Sequence, residues 1–279
     1  MVALSSMSTT KPAPVSYAAK LADKRVLVLG GTSGIGLGVA EAVREFGGTV
    51  IVSSSSQSKV DAAISKIRTI VRCSHHDTTA DILGYPCDLY DLDRLESNLQ
   101  ALFESATERR QRKIDHVVYT AGNKVGSIPL ADTDTKMITD HGILRFYVPI
   151  IIGKLAPEYM TISPRSSITL TSGVNNVKPV PGRVLMAGWG AGVEGVTRAL
   201  AVDLKPVRVN CVCPGPTRTE LFNGFPDNVL QPLLEKYMSS TMTRTIANPE
   251  DIAESYLYCM RDTFVDGTII HSSGGYLLA

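Results

Sequence analysis

From Arg25 onward the chain alternates short apolar runs with longer amphipathic ones, and few folds satisfy that pattern. RVLVLGG precedes GLGVAEAVREFG, TVIVSS precedes KVDAAISKIRTIV, and ILGYPCDL precedes DLDRLESNLQALFESA. The continuous apolar runs read as strands buried on both faces, and the 3.6-residue periodicity between them reads as covering helices. IDHVVYTAG, a long segment from Thr133 to Tyr159, SSITLTSG, a helix near Val184 to Leu204, and VRVNCVCPG continue the series. Successive units of this kind require parallel strands joined by right-handed crossovers. The expected fold is α/β, a doubly wound parallel sheet in one domain over 23–279. The first 22 residues, rich in Ser, Thr, Ala and Pro, are expected to form an N-terminal tail.

Composition narrows the partners. With 28 basic and 27 acidic residues, the formal charge of +1 offers no broad field for nucleic acid or an anionic membrane. The run Glu108 to Lys113 reads as a solvated helix end. No stretch reaches the ~18–20 apolar residues of a membrane span, and the tail lacks a signal-peptide core; a cytoplasmic protein is expected. The five cysteines are scattered and never spaced as CxxC, so neither a disulfide framework nor a metal site is expected. The cluster Cys73, His75, His76 and Asp77 lacks a second ligand pair and reads as a polar loop.

LGGTSGIG, Leu29 to Gly36, lies directly between the first strand and the first helix. Gly30, Gly34 and Gly36 allow a tight turn and close approach to a pyrophosphate, with Thr32, Ser33 and Ile35 beside it at the helix N-terminus. That placement makes the sheet Rossmann-like. The second strand ends in Ser53, Ser54, Ser55 and Ser56, where a NAD site places an acidic residue for the ribose hydroxyl. Hydroxyls together with Lys59 favour a 2′-phosphate, so NADP(H) is the expected cofactor. Between Pro216 and Ala247 the alternation breaks into a long stretch with a short helical middle, expected to be a lid (216–247) over the carboxyl ends of the strands. Its apolar residues (Leu221, Phe222, Phe225, Val229, Leu230, Leu233, Leu234) suit a small-molecule pocket.

These motifs resemble the short-chain dehydrogenase/reductase family over the whole chain after about residue 22. LGGTSGIG is similar to its TGxxxGxG loop, with Leu29 in the Thr slot. Cys87 to Leu89 is similar to its adenine-side segment, which implies contacts from Asp88 and Leu89. Thr120 to Gly122 matches its NAG turn, implying contacts from Ala121 and Gly122. Pro214 to Thr219 matches its PGxxxT segment, implying contacts from Pro214, Gly215, Thr217 and Thr219. Ser273 to Gly275 resembles its DGG. The resemblance also implies a homodimer or homotetramer.

The family's Ser, Tyr, Lys and Asn unit is only partly present. Ser172 fits the Ser slot, but the Tyr slot falls on Met186, the Lys slot on Gly190, and the Asn slot near Arg145. A ketone needs a hydride and a proton, and a positioned acid contributes ~10²–10⁴ in rate. An iminium ion needs hydride alone, and a nearby ammonium would repel it. Trp189, the only tryptophan, completes a likeness to divergent members of the family, the bifunctional reductase/Diels-Alder cyclases of fungal bicyclic indole alkaloid biosynthesis. The expected site is Arg145, Ser172, Met186 and Trp189, acting on an apolar polycyclic substrate. The implied activity is NADPH-dependent reduction of a cyclic iminium, with a cycloaddition templated afterwards. A redox-silent cyclase using NADP as scaffold and an NADP-sensing binding protein stand as alternatives.

Overall fold

The computed structural model describes residues 16–70, 81–122, 126–222 and 226–279. Seven strands form one parallel sheet: β1 (Arg25–Leu29), β2 (Thr49–Ser54), β3 (Ile82–Pro86), β4 (His116–Tyr119), β5 (Ser167–Thr171), β6 (Arg208–Pro214) and β7 (Ile269–Ser272). Their order is β3-β2-β1-β4-β5-β6-β7, so the winding reverses beside β1. In such sheets the crevice at the carboxyl ends of the strands flanking the reversal receives the ligand.

The all-apolar strand runs are explained by burial on both faces. Leu27 and Leu29 join one core with α3 (Leu95–Ala106) and α5 (Val148–Tyr159), while Val26 and Val28 join the other with α1 (Gly34–Glu45), α2 (Gln57–Ile67) and α8 (Pro249–Arg261). Residues 16–22, expected as tail, pack on the domain: Leu21 is fully buried in the second core and Lys20 Nζ donates to Arg261 O. Among the described residues, no helix is long and apolar enough to cross a membrane.

Two elements shape the site. The long segment from Thr133 to Tyr159 is α4 (Thr135–Gly142), a π-helical turn at Ile143–Tyr147, then α5. Pro149 supplies the cause, since it has no N–H for the carbonyl of Arg145 four residues earlier and its ring crowds that carbonyl. The stretch expected as a lid leaves β6 and is cinched at its ends: Thr217 bridges Ala247, Arg218 N donates to Ala247 O (2.7 Å) and Ala247 N to Pro216 O (3.1 Å). Its helical middle is α7 (Asp227–Ser239), seated through the buried Leu234 and a Phe222–Tyr237 ring contact.

Candidate active site

The loop after β1 is a backbone cradle. Gly30 has φ +83°, and a methyl group built on it would lie 2.6 Å from Ala121 N, so only glycine lets this loop meet the Thr120–Gly122 turn after β4. Gly36 is equally closed, against Gly30 O and Thr120 Oγ1. Gly30 N donates to Ser53 O (2.9 Å), which sets the end of β2 beside the loop. Ser53 is buried there, Ser54 half-buried and Ser55 exposed. Asp88 is exposed, with its carboxylate accepting from Tyr90 N (2.9 Å), and Leu89 is buried. Gly215 packs on Ser273, with Gly215 N donating to Ser272 O, and Thr217 Oγ1 donates to Gly215 O. The residues expected to hold a nucleotide therefore converge on one crevice.

The helix dipole also fits an anion here. Ser33, at the N-cap of α1, is exposed and makes no capping bond through its side chain, Thr32 is half-buried, Ile35 packs against the core, and the first turn contains no acidic residue. A helix N-terminus of this kind attracts phosphate. One competitor is present: Glu220, just past Thr219, accepts from Gly34 N at 2.7 Å. Thr219 itself lies over Gly34, whose would-be Cβ is 3.1 Å from Thr219 Cγ2. A dinucleotide phosphate and the Glu220 carboxylate compete for the same amide and dipole. E220A is therefore expected to bind NADPH more tightly than the parent, roughly 3- to 10-fold, the scale of one charge-assisted hydrogen bond. Fluorescence titration of the dinucleotide checks this, and an unchanged or weaker affinity counts against the competition.

Beyond the cradle, Arg145 projects from the π-turn toward Gly122, its Nη2 3.7 Å from where a Cβ of Gly122 would lie. Its Nε is buried without a hydrogen-bond partner, and burial holds its pKa below the usual guanidinium range. The hydroxyls of Tyr119 and Tyr90 oppose that shift weakly. The Tyr119 hydroxyl donates a hydrogen bond to Leu144 O (2.5 Å), so it is committed to the backbone of the π-turn. A half-buried guanidinium whose Nε has no partner, beside a ligand crevice, is a ready donor fork for a substrate oxygen.

Trp189 has a different place from the one its sequence position suggests. Its indole N–H donates to Ile138 O (3.0 Å), and its ring lies over Gly142 and 5.2 Å from the Phe146 ring. A methyl on Gly142 would sit 2.7 Å from Trp189 Cζ2. Trp189 thus clamps α6 (Val184–Asp203) onto α4 and the π-turn, and it positions the segment carrying Arg145. Met186 is half-buried on the same helix, its sulfur accepting from Arg183 Nη1 at 3.2 Å.

Ser172 sits at the carboxyl end of β5 and is buried. Its Oγ is 3.1 Å from Glu194 Oε1 and 3.3 Å from Gly190 O, and it accepts from Asn176 Nδ2 at 3.2 Å. Asn176 Nδ2 also donates to Glu194 Oε1. Neither Asn176 nor Glu194 was expected from the sequence. Glu194 had a signal, since it lies one helical turn beyond Gly190 on the same face of α6; Asn176, on a short turn after β5, had none. Gly190 is buried beside this group, and Met186 lies one turn earlier on α6.

Other features fall outside the site. The basic run is engaged in ion pairs, Arg110 with Glu104 and Glu158, and Arg112 with Asp81 and Glu108. Among the described residues no cluster of His, Cys, Asp and Glu could hold a metal, and Cys73, His75, His76 and Asp77 lie outside the described residues. Cys87, Cys211, Cys213 and Cys259 are free and buried, and burial raises every one of their thiol pKa values.

Comparison with known proteins agrees with this architecture. The SDR-like Rossmann domain model matches residues 17–279. A short-chain dehydrogenase/reductase, malC of Malbranchea aurantiaca, is 39% identical over 258 residues, covering 92% of this chain and 96% of the relative. A second, ATR9 of Stachybotrys chlorohalonatus, is 39% identical over 253 residues, covering 91% and 96%. Among solved structures, the MalC reductase/Diels-Alderase from Malbranchea aurantiaca superposes with a TM-score of 0.87 at 38% identity, covering 95% of this chain and 100% of that one. A small-chain dehydrogenase in complex with NADPH superposes at 0.71 with 25% identity, covering 92% and 100%. The chain belongs to the short-chain dehydrogenase/reductase family.

Proposed function

We propose that this protein is an NADPH-dependent reductase of a cyclic iminium in secondary metabolism. The observation that carries the reading is the pairing of an intact dinucleotide cradle with Met186 and Gly190 in the slots of the proton donor and its lysine. Gly30, Ser33, Gly34 and Gly36 would hold the pyrophosphate, Ser54 and Ser55 the 2′-phosphate, and Ala121, Gly215, Thr217 and Thr219 the nicotinamide half. The solved relative in complex with NADPH supports that choice of cofactor. When bound, NADPH supplies a hydride. A cationic C=N carbon that received it would become a neutral amine, so the residues at this site need supply no proton.

Arg145 binds an oxygen of the substrate scaffold on the Gly122 side, and Met186 lines an apolar wall with a thioether that adapts to a polycycle. The likeness to a reductase/Diels-Alderase supports a second step in the same pocket, in which the reduced product undergoes an intramolecular cycloaddition templated by that wall. In such a step the carbonyl held by Arg145 becomes more electron-poor.

The expected result is oxidation of NADPH with cyclic iminium substrates and none with the matching ketones, followed by nicotinamide absorbance and product masses. Cofactor binding without oxidation by any electrophile would instead favour a redox-silent cyclase.

A further inference from the structure

None of the ion pairs among the described residues includes Glu194, although it lies beneath the vacant lysine slot. Its Oε1 takes Asn176 Nδ2 and lies 3.1 Å from Ser172 Oγ. A carboxylate and a carbonyl accept and cannot donate, so the single proton of the Ser172 hydroxyl is held on the inner side by Glu194 Oε1, the nearer acceptor at 3.1 Å, and Gly190 O at 3.3 Å. Asn176 Nδ2 already occupies one lone pair of Oγ at 3.2 Å. What Ser172 can turn toward the crevice is a lone pair and not a proton.

We propose that Glu194 is a positioning residue that fixes the polarity of Ser172, making this end of the pocket selective for a cationic substrate. A hydroxyl that donates would stabilise the developing oxyanion of a ketone; one that accepts, backed by a carboxylate, opposes an oxyanion and favours a positive C=N unit. The same carboxylate reaches farther, adding to the elevation of the Cys213 thiol pKa behind burial. Gly190 is needed for this arrangement. An ammonium rooted there would face Glu194 one turn away and neutralise it. The absent lysine and the present glutamate are thus two halves of one change in charge at the Ser172 end of the pocket. This selectivity rests on the iminium reading above for its role in turnover but not for its occurrence.

The test uses binding, so that it does not depend on turnover. The NADP-loaded full chain is titrated calorimetrically with N-methylquinolinium, a permanent flat cation, and with methylquinoline of the same size at a mildly alkaline pH where it is neutral. The parent is expected to prefer the cation roughly tenfold, the equivalent of ~1.4 kcal/mol. E194Q is expected to erase the preference with NADP affinity unchanged, E194D to retain part of it, and S172A, which keeps the carboxylate but removes its intermediary, to reduce it. S172A and E194D decide the matter if E194Q does not fold. No preference in the parent, or a preference that survives E194Q, overturns the proposal. A preference that depends on Glu194 without any iminium turnover would retain it and overturn the reductase reading instead.

Discussion

The double substitution M186Y/G190K is expected to confer ketone reduction on this protein, with a gain of ~10²–10⁴, the typical contribution of a positioned acid. The cradle for the change is in place. A Cβ on Gly190 would lie 3.5 Å from Asn176 Cβ and 3.7 Å from Ser172 Oγ, ordinary contacts that need no displacement. The Lys introduced at 190 and Glu194 stand four residues apart on one helix face, so the ammonium pairs with the carboxylate. Pairing reduces the pull on the Ser172 proton and lets the hydroxyl donate toward a substrate oxygen. The Tyr introduced at 186 supplies the proton, and the neighbouring ammonium brings its pKa down from the usual ~10. M186Y alone leaves Glu194 unpaired and should give much less. Iminium turnover is expected to fall in the double variant as ketone turnover rises. NADPH oxidation against matched ketone and iminium substrates measures both, and intact cofactor binding with no ketone turnover would count against this account of the missing pair.

Much of this was legible before the fold was known, for definite physical reasons. Strands buried on both faces must be apolar throughout, so RVLVL and TVIVSS announce themselves, and the order of the crossovers follows from handedness. Gly30 and Gly36 were readable because their neighbours leave no room for a Cβ, a constraint on residue type that sequence displays directly. Trp189 was legible as important but not in its role. Its partners, Ile138, Gly142 and Phe146, lie more than forty positions away, and nothing local says which of two faces an indole will choose. The π-turn was hidden although Pro149 caused it, because a proline near a helix start is compatible with an ordinary first turn. Glu220 and Glu194 were illegible as site residues for a shared reason. Each acts through long-range contacts, on Gly34 N across 186 positions and on Ser172 Oγ across 22, and such pairings are products of topology.

Replacing the buried cation at the crevice should separate stability from activity. R145M is expected to raise the thermal midpoint while cutting turnover roughly 10- to 100-fold. Arg145 pays for its place: Nε is buried with no partner, and the charge is held where burial disfavours it. Methionine has a similar reach, no polar atoms and the flexibility to fill the space beside Gly122 and Tyr119. Exchanging buried ion pairs for well-packed apolar side chains is neutral or stabilising by ~1–4 kcal/mol, and each kcal/mol moves the midpoint of a large domain about 2 to 4 °C. The loss in rate follows from the opposite side of the same feature. Arg145 Nε has no partner in the fold, so the charge-assisted hydrogen bond a guanidinium offers, ~1.5–3 kcal/mol, is gained when a substrate oxygen arrives. R145K discriminates further, since it keeps a charge but loses the planar fork, and should recover little activity if two-pronged contact matters. Melting curves with and without NADP, alongside turnover at saturating NADPH, read both effects. A midpoint that falls with R145M would show that Arg145 holds the π-turn together, and would assign it to the scaffold with Trp189.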